Sequence, residues 1–101
     1  MLRIYDVALQ VMGELRGALA AIDRCDKDLA RQLRRAGSSV VLNLGEGSGS
    51  SGGIRRERYR TALGSAREVQ ASLDVARVWG YVDARPEGLR EVIGSLVKLA
   101  R

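Results

Sequence analysis

Apolar residues along this chain return in alternating steps of four and three, the spacing that gathers side chains onto one face of an α-helix. The first run is Ile4, Ala8, Val11, Leu15, Ala18 and Ile22, widened by Val7, Met12 and Leu19. It predicts a helix over 3–23, followed by the charged turn Asp23-Arg24-Cys25-Asp26, in which Asp26 is placed to cap the next helix. Leu29, Leu33, Ala36, Val40 and Asn43 make the second run, with Ala30, Gly37, Val41 and Leu44 beside it, and predict a helix over 27–45. The Gly/Ser-rich stretch from Gly45 to Gly53 then reads as a flexible linker that cannot hold a helix.

Tyr59, Ala62, Ala66, Val69, Leu73 and Ala76 mark a third helix over 54–79. Gly80 fits a left-handed C-terminal glycine, with Tyr81 or Val82 folding back onto the helix. Asp83 is the expected cap of a fourth helix over 84–100, with Pro86 tolerated in its first turn. There Leu89, Val92, Ile93, Leu96, Val97, Leu99 and Ala100 form a wide apolar face. No segment alternates with period two, and short connections make sequential helices antiparallel. The expected architecture is therefore all-α: an antiparallel up-and-down four-helix bundle forming one domain over 1–101.

Composition sharpens this picture. Hydrophobic residues are 46% of the 101, aromatics are only 4%, and Phe is absent, so the core must be aliphatic. No apolar run reaches the roughly 20 residues of a membrane span, and the N-terminal residues lack a signal-peptide pattern. The lone Cys25 cannot form an internal disulfide. A cytoplasmic protein without a membrane partner is expected.

The chemistry is restricted. With no His, a Ser-His-Asp triad, a Cys-His pair and a His-based metal site are excluded. Cys25 has no general base to activate it. Gly47, Gly49 and Gly52 match G-x-G-x-x-G, yet they follow a helix, and a dinucleotide site needs a preceding strand. Gly53 and Ile54 stand where a Walker lysine would be required. Neither catalytic residues, nor a metal, nor a cofactor are expected, and the protein reads as non-enzymatic. A glycine-rich loop entering a helix beside Arg55 and Arg56 keeps the capacity to accept a phosphate.

Charge points to a partner. The net charge is +5, with Arg31, Arg34 and Arg35 on one face of the second helix and Arg55, Arg56, Arg58 and Arg60 opening the third. These seven are the candidate nucleic-acid contacts. No aromatic residue interleaves with them except the inward Tyr59, so phosphate contact is the expected mode. The alternative is a scaffold or accessory subunit that docks an acidic protein. Asn43, Glu46 and Glu68 read as a structural polar network, with Glu46 pairing across the loop to an arginine of the 55–60 run. Leu42 falls on the face of Arg31, Arg35 and Ser38, outside the inward stripe. Thr61, Gly64, Ser65, Glu68 and Ser72 form a small, polar face suited to a neighbouring subunit, so a homo-oligomer is expected.

Several of these residues also carry a resemblance. Gln32 to Ala36, Val40 to Asn43, Glu46 to Gly49, Arg58-Tyr59, Ala62 to Glu68 and Gly80-Tyr81 resemble the bacterial four helix bundle proteins, also called ribosomal-RNA intervening-sequence proteins. The resemblance covers most of the chain. It implies an antiparallel four-helix bundle, homopentamers with a basic surface, and a distant kinship with the accessory protein of diversity-generating retroelements. That accessory protein contacts a reverse transcriptase and nucleic acid. Asn43, Glu46, Gly47, Gly64, Ser65, Glu68, Gly80 and Tyr81 stand at the family's signature positions. Val41 replaces a frequent proline, implying a straighter second helix, and Gly45 replaces a common alanine, implying an earlier helix end.

Overall fold

The computed structural model describes residues 2–101, and four helices account for most of them: α1 (Arg3–Cys25), α2 (Lys27–Ser48), α3 (Gly52–Val78) and α4 (Gly88–Leu99). Each packs antiparallel to its neighbour in the ring α1–α2–α3–α4, with α2 against α3 the most extensive pairing. No strand occurs among the described residues. The bundle is slim, 42 × 22 × 18 Å. Leu15, Ile22, Leu33, Leu44, Leu73 and Leu96 lie fully buried along its axis with Val11, Val40, Val69 and Val92. Buried alanines, among them Ala8, Ala62, Ala66 and Ala76, keep the helices close.

Asp26 sets the first corner. Its backbone N–H donates to the Ile22 carbonyl at 2.7 Å, ending α1. Its carboxylate accepts from the Leu29 N–H at 3.0 Å, starting α2. Asp26→Ala is expected to cost about 1 kcal/mol of stability, as losing such a cap does elsewhere, measured by urea unfolding with an unchanged m-value. A corner that tolerates alanine would refute the capping role.

The expected linker is not one. α2 continues through Gly45, Glu46, Gly47 and Ser48, and α3 begins at Gly52, so only Gly49, Ser50 and Ser51 lie between the helices. Tertiary packing overrides the glycines' cost of about 1 kcal/mol each. Gly47 is buried against the Tyr59 ring, where a Cβ would come within 2.6 Å of a ring carbon. Around it the Ser48 hydroxyl donates to the Leu44 carbonyl at 2.9 Å and the Ser50 hydroxyl to the Glu46 carbonyl at 2.8 Å. Gly45 does not end the helix early.

At the far end of α3 the expected glycine stop is present. Gly80 has φ 79°. The Tyr81 N–H donates to the Ala76 carbonyl at 2.8 Å and the Gly80 N–H to the Arg77 carbonyl at 3.0 Å, the paired bonds of a Schellman motif. Tyr81 and Val82 fold back against the core.

The fourth helix is shorter than the 84–100 expected. It starts at Gly88, and Asp83 does not cap it. Pro86 disfavours helical backbone at Arg85, and Arg85 is drawn to Asp74 of α3 at 3.4 Å. At Gly88 the helix meets α1 so closely that a Cβ would lie 2.9 Å from Val11. Arg3 of α1 and Glu91 of α4 form an exposed ion pair, and hydrogen bonding to Glu91 raises the Arg3 pKa further.

Candidate nucleic-acid interface

The seam between α2 and α3 is held by polar groups in register. The Ser39 and Ser65 hydroxyls share a hydrogen bond of 2.7 Å across it. One turn along α2, the Asn43 amide donates to the Ser39 carbonyl at 2.9 Å and to the Ser39 hydroxyl at 3.1 Å. A further turn on, Glu46 meets Arg58 at 3.1 Å, the pairing expected across the loop. Asn43 is half-buried, and its network runs to Ser39 and Ser65. Glu68 stands exposed on the same side, near Gln32 and Arg35.

On the small, polar face of α3, Ser65 is half-buried and bonded to Ser39 of its own chain, and Ser72 is buried. Thr61, Gly64 and Glu68 remain exposed.

The seven arginines divide into three groups. Arg55 and Arg60 are exposed, and each is bonded to a backbone carbonyl of its own chain. Arg55 Nε donates to the Gly47 carbonyl at 3.3 Å, and Arg60 Nε to the Ala100 carbonyl at 3.3 Å. Both carbonyls lie at helix C-termini, where a cation complements the dipole, and the Gly47 carbonyl also accepts from the Ser50 N–H at 3.1 Å. Arg31 pairs with Asp28 at 3.3 Å and Arg58 with Glu46 at 3.1 Å on the exposed surface, contacts worth little in water. Arg34 and Arg35 are exposed and make no ion pair among the described residues, and Arg56 is exposed at the start of α3. Arg34, Arg35 and Arg58 come together around one shallow groove, which Ser38, Leu42 and Asn43 also line.

The sequence pattern placed Arg34 and Arg35 on an outer face, but the engagement of Arg60 depends on a contact 40 residues away that no local spacing reveals. Also unread was a bare apolar patch at the end of α3. Val78 is 83% exposed and Trp79 68%, with Val75 beside them. Their spacing, offset from the inward Leu73 and Ala76, was the available signal. Among the described residues no group of three His, Cys, Asp or Glu side chains is placed to hold a metal, and no helix is long and apolar enough to cross a membrane.

No curated protein matches the chain, and no solved structure does. The family model described as 23S rRNA-intervening sequence protein matches residues 2–100. That match spans nearly the whole chain, and with its four antiparallel helices the chain belongs to the 23S rRNA-intervening sequence protein family.

Proposed function

We propose that this chain is a non-enzymatic, oligomeric, cytoplasmic protein that binds nucleic acid through phosphate contacts on the α2–α3 face. The observation that carries the reading is the pair Arg34 and Arg35, exposed and without ion pairs among the described residues, beside Arg58 on one groove. Such cations gain by replacing condensed counterions on a phosphate chain, and the gain falls as salt rises. The test is a salt titration of wild type and of the Arg31→Gln, Arg34→Gln, Arg35→Gln triple variant. Wild-type affinity should fall linearly on log–log axes, and the triple variant should flatten the slope by up to about 0.9 per arginine. Helicity should not change, because all three side chains are exposed. Absence of wild-type binding at low salt would refute the reading.

A second reading, an accessory subunit for another protein, is favoured by Val75, Val78 and Trp79. An exposed tryptophan among valines suits a protein interface better than a phosphate chain. The same patch is open to a further copy of this chain.

A further inference from the structure

We infer that the α2–α3 groove takes unpaired nucleotides in preference to duplex, with Leu42 as the platform for a base; this rests on the phosphate-binding reading above. Leu42 is 64% exposed, although its helix buries Leu29, Leu33 and Leu44. It lines the same groove as Arg34, Arg35 and Arg58. A leucine in that position offers nothing to phosphate, and in water it is an unfavourable apolar surface.

The flanking charges define what can cover it. Among the described residues Glu46 is the one acid lining the groove, and it is paired with Arg58 at 3.1 Å. A ligand must therefore present anions on either side of a flat apolar face. An amphipathic acidic helix would need several apolar anchors at successive turns, and among the described residues Leu42 is the only large aliphatic side chain lining the groove. A single-stranded nucleic acid meets the requirement with one anchor. Its phosphates reach the arginines, and an unstacked base covers the leucine with its face, by apolar contact. In duplex that face is buried by its neighbours in the stack, so Leu42 can contribute little. With no aromatic ring and no fixed array of donors in the groove, the choice is between strand states and not between base sequences.

The experiment compares wild type, Leu42→Ala, Leu42→Tyr and Arg34→Gln/Arg35→Gln by fluorescence anisotropy. The probes are a labelled oligothymidylate and a mixed-sequence duplex of equal charge. Wild type should favour the single strand. Leu42→Ala should weaken that complex about five-fold while leaving duplex affinity and the salt slope unchanged, and Leu42→Tyr should tighten it. The double arginine variant should weaken both probes together. If Leu42→Ala weakens both probes equally, or neither, the base platform is overturned while phosphate binding stands. If wild type binds neither probe at low salt, the underlying reading fails as well. Because Leu42 lies on the surface, circular dichroism should show the same helicity in every variant.

Discussion

Replacing Gly47 with valine is expected to lower the unfolding free energy by about 3 kcal/mol, at the upper end for an overpacked core. Two effects oppose each other at this position. Removing a glycine from a helix interior gains up to about 1 kcal/mol of propensity. Against that, any Cβ at position 47 would sit 2.6 Å from the Tyr59 ring. That ring is only 4% exposed and cannot swing aside, so the clash exceeds the gain. A β-branched side chain enlarges the clash and forgoes part of the propensity. Tyr59→Ala in the same chain should recover part of the loss, giving a coupling of about 1 kcal/mol or more in a double-mutant cycle. Additive effects would mean that glycine is needed at position 47 for some other reason. Chemical denaturation of the four proteins decides between these outcomes.

Leu73→Ala has the other large effect. Leu73 is 0% exposed, on the inward row of α3. Truncation removes its transfer free energy and leaves a cavity, for about 3 kcal/mol in a site of this kind. In a domain of this length that lowers the thermal midpoint by roughly 10–20 °C. Leu42→Ala provides the contrast, because its side chain is already in water and should change stability by less than about 0.5 kcal/mol. Equal losses at the two positions would contradict the burial assigned to them.

The contrast also marks how far the chain could be read without coordinates. Leu73 and Leu42 were separable by helical phase alone, and so were the four inward stripes, the cap at Asp26 and the stop at Gly80. Each rests on residues within a turn or two of one another. The stretch from Gly45 to Gly53 was misread because glycine propensity is local, whereas the Tyr59 ring that covers Gly47 belongs to the next helix. The start of α4 was misread for a related reason. Asp83 and Pro86 carry the marks of a helix beginning, but the ion pair from Arg85 to Asp74 and the close approach of Gly88 to Val11 hold the chain in another course. In the candidate site, the faces of the arginines followed from spacing. Which arginines are engaged did not, because the Gly47 and Ala100 carbonyls become neighbours of Arg55 and Arg60 only when α2 and α4 are set beside α3.

Those two arginine–carbonyl bonds have an electrical consequence. They lie where the C-termini of α2 and α4 converge on the first turns of α3, so the negative ends of two helix dipoles meet the positive end of a third. With neighbours antiparallel throughout, the helix dipoles largely cancel, and side-chain charge dominates the field around the molecule. The N-terminus of α3 itself stays uncovered: the Ser51 side chain makes no capping bond, and a Cβ at Gly52 or Gly53 would meet no atom of the described residues within 4 Å.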